Sequence, residues 1–459
     1  MIMPRPFRLL VPIITATVIP QTTLLVTGFL TPCFSLSLGV SSGIRRGILF
    51  GTGSCGANLL FSTHMVSSSS SEEPTIRWGI VGLGDVTQVK SGPPFWKCEG
   101  SELVAVMRRT PGKAVEFAAR VPKKTNSDND GESECVGYDN LDEFLKHPGL
   151  EAVYVSTRPG THAEIAKKVA DAGLACYVEK PVGRCAAETK ELTELFNRKS
   201  LPFYTAYISR AYERTQAVRK LMRDGAIGDK LVKVTYVLRG TGGARDMTTK
   251  ELPWRLDAIQ SGGGLIMDVG CHVIDRVDYL CGPLEHVKGS AEHRQSGENK
   301  SGIIDNTAVE NYCHAVATIG AAPWASMSKG GCTGAKVDLT WDFSSTDPND
   351  TMDELCFVGS NGRTLKMAGM SADGPIQVLE DDGITVIESQ AFDMLEHSGQ
   401  GLIQAVTNDL LDRKMASKKE RHDFLSFGEN AIRAQTVIDT MLDSYYGGRE
   451  IGYWSRMDS

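Results

Sequence analysis

Apolar positions along the chain follow two rhythms, which change over near residue 205. Solid apolar runs come first: TIRWGIV at 75–81, ELVAVM at 102–107, EAVYVS at 151–156, ACYVE at 175–179 and FYTAY at 203–207. A strand with no polar face is one covered on both sides, as in a parallel sheet. Between these runs apolar residues recur at helical spacing over 113–120, 141–146 and 163–172, so strands and helices are expected to alternate. Beyond residue 205 the strand-like runs alternate apolar with polar, most clearly in LVKVTYVL at 231–238 and again at 311–318, 336–341, 354–358 and 375–379. One buried face and one open face mark an antiparallel sheet. With helices near 216–223, 267–279, 401–412 and 429–443, the pattern predicts an α/β domain over 73–205. An α+β domain with a large, mostly antiparallel sheet follows over 206–459. No internal repeat is visible.

Composition changes this picture only at the N-terminus. A charged fraction of 23% beside 41% hydrophobic residues belongs to a folded soluble chain, and 459 residues suffice for two domains. The net charge of -7 argues against a general nucleic-acid or anionic-membrane binder, which needs a basic field. Eleven cysteines are scattered singly with no Cys-x-x-Cys, and are read as buried thiols, a redox-regulatory disulfide being the alternative. Before Glu72 there is no acidic residue, while Arg5, Arg8, Arg45 and Arg46 stand among many Ser, Thr and Leu. That is a targeting composition, so residues 1–72 are set apart as a cleaved presequence directing the chain to a plastid or mitochondrion. The apolar run at 9–19, followed by the Ser-, Gly- and Arg-bearing stretch at 35–71, suggests import through more than one membrane. A secretory leader, a signal anchor, or an internal start at Met65 giving a cytoplasmic form are the alternatives. No stable membrane span is expected in the mature chain.

The first apolar run ends directly in Gly82-Leu83-Gly84-Asp85-Val86-Thr87. A strand feeding Gly-x-Gly is the entry to a Rossmann dinucleotide-binding unit. The first glycine permits the tight turn and the second lets the backbone approach a pyrophosphate, with Asp85 and Val86 opening the helix that follows. The third glycine position holds Thr87, and a glycine-rich turn of any α/β protein is the plainer alternative. After the second strand, where an acidic residue would meet the adenosine ribose, stand Arg108 and Arg109. Paired guanidiniums suit a 2'-phosphate, so NADP is preferred over NAD unless the pair is simply solvated. Thr157 opens the segment 157–162 after the next strand, where ligands dock in open parallel sheets.

Glu179-Lys180-Pro181 at a strand end resembles the signature of the glucose-fructose oxidoreductase and inositol 2-dehydrogenase (Gfo/Idh/MocA-type) family. The same holds for Gly79-Ile80-Val81-Gly82-Leu83-Gly84, Leu103-Val104-Ala105-Val106-Met107-Arg108-Arg109, Asp224-Gly225-Ala226-Ile227-Gly228 and Phe357-Val358-Gly359-Ser360-Asn361-Gly362. Most specific is Gly262-Gly263-Gly264-Leu265-Ile266-Met267-Asp268-Val269-Gly270-Cys271-His272, which is similar to the family's glycine run before Asp-x-x-x-His. The resemblance spans roughly residues 75–445. It implies that Lys180, Asp268 and His272 surround the reacting carbon and that Glu179 and Lys180 lie at the cofactor. It also implies that another subunit covers the open sheet, giving a homo-oligomer with the dimer as its simplest form.

Oxidising a carbinol requires a base for the hydroxyl proton and positive charge for the developing alkoxide. Asp268 and His272, spaced i, i+4, share a helix face, so His272 is assigned as base, Asp268 as its orienting partner, and Lys180 as the group that bonds the substrate oxygen. An ordinary helix-face pair is the alternative, and no metal is expected because nothing nearby completes a ligand set. Tyr207 and Arg210, and Trp254 and Arg255, are candidate pocket residues or else core and surface. The expected activity is NAD(P)-dependent hydride transfer at a CH–OH or C=O carbon of a sugar, polyol or cyclic diol. A trans-dihydrodiol or xylose dehydrogenase is the alternative within the family. Its rivals from other classes are a non-catalytic NADP-binding sensor of the same fold and a membrane-anchored structural protein.

Overall fold

The computed structural model describes residues 74–125, 132–241, 253–294, 309–327, 330–345, 347–371, 374–393, 395–417 and 422–449. The presequence reading of residues 1–72 lies outside them. Six strands, β1 (Ile76–Val81), β2 (Ser101–Met107), β3 (Val136–Tyr138), β4 (Ala152–Val155), β5 (Ala175–Val178) and β6 (Phe203–Thr205), form one sheet. Their order is β3-β2-β1-β4-β5-β6 and every pair is parallel. Strand order reverses between β1 and β4, which opens a crevice at the carboxyl ends of those strands. Crossovers include α1 (Lys113–Ala118), α2 (Pro159–Asp171) and α3 (Ala186–Arg198). Helix α2 begins earlier than the apolar spacing predicts, because Pro159 suits a first helical position. The expected loop 157–162 is therefore mostly a first helical turn.

The second half comprises α4 (Glu213–Arg223), β7 (Leu231–Arg239), α5 (Leu265–Cys281), β8 (Leu284–Glu292) and β9 (Tyr312–Ile319). It continues with β10 (Lys336–Asp342), β11 (Met352–Gly359), β12 (Thr364–Met367), β13 (Ile376–Leu379), β14 (Val386–Gln390), α6 (Gln400–Lys414) and α7 (Gly428–Tyr446). Its eight strands run β8-β9-β10-β7-β11-β12-β13-β14, antiparallel except for the β7–β10 pair. Alternation places Val234 and Tyr236 of β7, Leu339 and Trp341 of β10, and Leu355 and Phe357 of β11 in the core, where α5 and α7 also pack. The opposite face carries ion pairs such as Lys233–Asp338 and Lys366–Glu354.

Helix α6 returns to the first sheet. Its Leu402, Ile403, Val406 and Leu410 share a cluster with Trp78, Phe95, Tyr154, Tyr177 and Tyr204. Each such side chain contributes roughly 1.5–3 kcal/mol on burial, so the C-terminal quarter stabilises the N-terminal sheet. The boundary at 205/206 thus separates the two sheets but not their cores. Among the described residues, no helix is long and apolar enough to cross a membrane.

Candidate active site

The end of β1 turns at Gly82, whose φ of +98° places a would-be Cβ 2.4 Å from the Ser156 carbonyl oxygen. Only glycine fits there. A Cβ on Gly84 would meet nothing within 4 Å, so the space beside this backbone is open, as close approach of a pyrophosphate requires. Asp85 and Val86 open the next helical turn and are exposed. Thr87, in the third glycine position, is fully buried; its hydroxyl donates to Gly82 O (2.9 Å) and lies 2.9 Å from Ser156 Oγ, tying the loop to the end of β4. Thr157 follows, its hydroxyl accepting from Thr161 (2.8 Å). Arg108 donates to Leu83 O at 2.6 Å and braces the loop. Arg109 is exposed and makes no hydrogen bond or ion pair among the described residues. The two arginines therefore divide: one is engaged with the loop and one is available at the ribose position.

Beyond β5 the chain presents Glu179 and Lys180, and the Lys180–Pro181 peptide is cis. Tyr154 Oη bridges Ser91 Oγ (3.0 Å) and Glu179 Oε1 (2.5 Å), while Lys180 N donates to Glu179 Oε2 at 3.2 Å. Burial pushes the Glu179 carboxyl up, against the pull of Lys180 and its hydrogen bonds. His162, on α2, is completely buried with Nδ1 2.9 Å from Pro181 O and Nε2 3.1 Å from Thr157 O. It links the cofactor-side turn to the Lys-Pro segment.

The opposite wall is the start of α5. The glycine run lets backbone approach backbone: a Cβ on Gly264 would sit 2.4 Å from Glu310 O, and Gly264 N donates to Glu310 Oε1 at 2.7 Å. This fixes the first turn of α5, which delivers Asp268 to Lys180. Lys180 Nζ donates to Asp268 Oδ1 (2.7 Å) and Asp268 O (2.9 Å), and Arg255 Nε donates to Asp268 Oδ2 (2.8 Å). Burial opposes both charges, yet the facing carboxylate holds Lys180 well above the ordinary lysine range. Lys180 and Arg255 in turn hold Asp268 well below the usual carboxylate range, against burial. An ammonium has three donors, and two of them are spent on Asp268. One remains for a substrate oxygen.

His272 lies one helical turn beyond Asp268. Burial, and then the positive charges of Lys180, Arg276 and Lys90, drive its imidazole well below the usual histidine value, outweighing Asp268. It is a neutral proton acceptor. The expectation that Asp268 orients His272 is corrected here: both carboxylate oxygens are taken by Lys180 and Arg255, cations that outbid a neutral imidazole. Arg255, stacked over Trp254 at 4.8 Å, thus belongs to the site.

Tyr207 and Arg210 do not line this pocket. Tyr207 is completely buried. Arg210, 3% exposed, donates to both carboxylate oxygens of Asp275 (2.8 and 2.6 Å), which is itself fully buried. A guanidinium neutralised inside the core is a packing element. The residues that sequence reasoning passed over are Lys90, His162 and Arg276. Arg276 was reachable by extending the Asp268–His272 spacing by four, and His162 lay within the segment already marked as ligand-facing.

Comparison with known proteins agrees with this architecture. Residues 76–207 match the model of the GFO_IDH_MocA oxidoreductase family, NAD-binding Rossmann fold, and residues 215–364 match the GFO/IDH/MocA C-terminal domain. "Oxidoreductase P35" of Formosa agariphila is 31% identical over 236 residues, which is 50% of this chain and 69% of that protein. Mouse trans-1,2-dihydrobenzene-1,2-diol dehydrogenase is 28% identical over 240 residues, 51% of this chain and 64% of the relative, so the match spans just under two thirds of that enzyme. Among solved structures, aldose-aldose oxidoreductase from Caulobacter crescentus superposes with a TM-score of 0.59 at 20% identity, covering 79% of this chain and 95% of the other.

Proposed function

The chain belongs to the GFO/IDH/MocA family of oxidoreductases, and from that premise we propose that it is a pyridine-nucleotide-dependent dehydrogenase or reductase acting at the CH–OH or C=O carbon of a sugar, polyol or cyclic diol. The observation that carries this reading is the Lys180–Asp268–Arg255 contact beside neutral His272, set at the carboxyl edge of the sheet that bears the open glycine loop. The nicotinamide, when bound, supplies or accepts the hydride. Lys180 directs its remaining N–H to the substrate oxygen and supports negative charge there as the hydroxyl proton leaves. His272 takes that proton in oxidation and returns it in reduction. Asp268 keeps Lys180 charged and aimed.

Arg109, exposed beyond the end of β2 and unengaged among the described residues, favours NADP, since a 2'-phosphate would give its fork a partner. The open face of the eight-stranded sheet supports a homodimer closed over it, and the family match beginning at residue 76 is in keeping with residues 1–72 as an organellar presequence.

Titration with NADPH and NADH, followed by turnover on aldoses, inositols and cyclic diols, tests the reading. Micromolar binding with turnover abolished in Lys180→Ala and His272→Ala is the expected result. Binding with no turnover on any substrate would point instead to a nucleotide-binding regulatory protein.

A further inference from the structure

Strand β4 is Ala-Val-Tyr-Val, buried throughout, and packing alone asks for no hydroxyl at Tyr154. Its ring is fully buried in the aromatic cluster, with centroids 5.0 Å from Phe95 and 5.1 Å from Tyr177. A phenol in such surroundings is costly unless its hydroxyl is paired. The partners are side chains: Tyr154 Oη lies 2.5 Å from Glu179 Oε1 and 3.0 Å from Ser91 Oγ. A phenol has one proton, which goes to the carboxylate as the stronger acceptor, so the Ser91 hydroxyl donates to Tyr154 Oη in turn.

The hydrogen-bond ladder of β5 ends where this chain of side chains begins. Glu179 N still donates to Val155 O of β4 at 2.9 Å, but the next amide, Lys180 N, donates to Glu179 Oε2 at 3.2 Å. The backbone that carries the lysine is thus held by the neighbouring carboxylate. Glu179 is itself only half-buried, at the crevice, and among the described residues Tyr154 is the one side chain that donates to it. Lys180 Nζ stands at the end of a four-carbon stem, so a small rotation of its backbone shifts the ammonium on the order of 1 Å, a displacement that can cost about a hundredfold in rate. At the other end of the chain, Ser91 closes the turn Thr87–Ser91. The Thr87 hydroxyl pins the start of that turn to Gly82 O and lies beside Ser156 Oγ, so both ends of the turn after the glycine loop are fastened to β4 or its end.

We propose that Tyr154 is a positioning residue for the reaction: its phenol, oriented by Ser91, holds the Glu179 carboxylate against the Lys180 amide and so aims the Lys180 ammonium at the substrate oxygen. The proposal rests on the dehydrogenase reading above. It adds to that reading a residue which, being fully buried, acts only through its neighbours.

Tyr154→Phe keeps the ring and deletes the hydroxyl. The full chain is assayed with the cofactor it binds and with whichever aldose, inositol or cyclic diol the wild type turns over. The expected result is a fall in kcat of about tenfold or more, with substrate KM and the cofactor dissociation constant held within about twofold. Ser91→Ala, which leaves the aromatic cluster whole, should show a smaller fall of the same kind and carries the comparison should Tyr154→Phe fail to fold. In a Glu179→Met background, Tyr154→Phe should cost little more, because residues that act through one another are not additive. A second readout needs no turnover: mass-spectrometric hydrogen exchange over residues 179–185 should quicken in Tyr154→Phe while β4 and β5 keep their protection. An unchanged kcat, even beside a lowered Tm, overturns the proposal and leaves Tyr154 a core residue. A fall in kcat that is just as large in the Glu179→Met background overturns it too, since Tyr154 then does not act through Glu179. If the wild type turns over no substrate, the dehydrogenase reading falls by itself, and unaltered exchange over 179–185 in Tyr154→Phe is the result that overturns the positioning role.

Discussion

Asp268→Asn keeps the shape of the side chain that joins Lys180 and Arg255 and removes its charge. In the wild type, Lys180 Nζ donates to Oδ1 at 2.7 Å, and this bond loses its ionic part on substitution, whereas the bond to the Asp268 carbonyl remains. A charge-assisted hydrogen bond contributes about 1.5–3 kcal/mol against about 1 for a neutral one, so roughly 0.5–2 kcal/mol is lost at Lys180. The Arg255 contact adds only about 0.5 kcal/mol, since the Arg255 side chain is 37% exposed and screened. Together, about 2 kcal/mol corresponds to roughly a thirtyfold fall in kcat/KM. A second effect fixes the cause. Burial depresses Lys180, and Asp268 is the foremost of the groups that hold it up, ahead of Cys271 and Glu179; without the carboxylate the ammonium loses its proton at lower pH. Activity that needs charged Lys180 is therefore full on the acid side and lost as pH rises through the new value. Profiles of kcat/KM from about pH 6 to 10 should show an alkaline limb in the variant that is displaced to lower pH relative to the wild type. An unchanged profile with less than a threefold loss would refute the claim that Asp268 organises Lys180. A shift confined to the acid limb would restore the pairing with His272.

Because burial and surrounding cations depress His272, its neutral form persists into acid, and wild-type kcat/KM should show no ionisation near the ordinary histidine value of about 6.5; Lys180→Met, assayed for residual turnover, should move a histidine limb up towards it. Arg210→Met strands the buried Asp275 carboxylate and should cost about 3–5 kcal/mol in urea unfolding, whereas unchanged stability with a raised substrate KM would return Arg210 to the pocket. His162→Ala removes the link between Thr157 and Pro181, so kcat is expected to fall and cofactor dissociation constants to rise together, with partial recovery in His162→Gln; a loss of stability alone would make it a packing residue. Gly84→Ala should fold with unchanged Tm yet bind cofactor at least about tenfold more weakly, while Gly82→Ala should lower Tm as well, since its Cβ collides with Ser156 O. Calorimetric titration beside thermal melting separates the two glycines.

Much of the fold was legible because it rests on local periodicity. Solid apolar runs gave the strands β1, β2, β4, β5 and β6, and alternation gave β7, β9, β10, β11 and β13. Less was legible where the pattern is thin: all five residues of β14 are exposed, β8 carries few apolar side chains, and β12 alternates over only four residues, so register with a neighbour rather than composition makes them strands. The helix Ala186–Arg198 was also missed, its apolar positions being few among charged ones.

In the site, the motifs located the glycine loop, Lys180, Asp268 and His272, because each sits beside glycines or a proline that mark unusual backbone. The i, i+4 spacing suggested which neighbour Asp268 faces, and the fold chose otherwise. Two cations arriving from residues 13 and 88 positions away in the chain occupy both carboxylate oxygens. Arg210 illustrates the same limit, since nothing local says that Asp275, 65 residues on, waits in the core. Sequence alone determined the elements, their class and the presence of the reactive side chains, since short-range sterics and hydrophobic burial are written in neighbouring residues. Tertiary structure alone decided which charges pair, which are neutralised in the core and which remain facing the crevice, because ion pairing depends on distances between residues that the sequence keeps far apart.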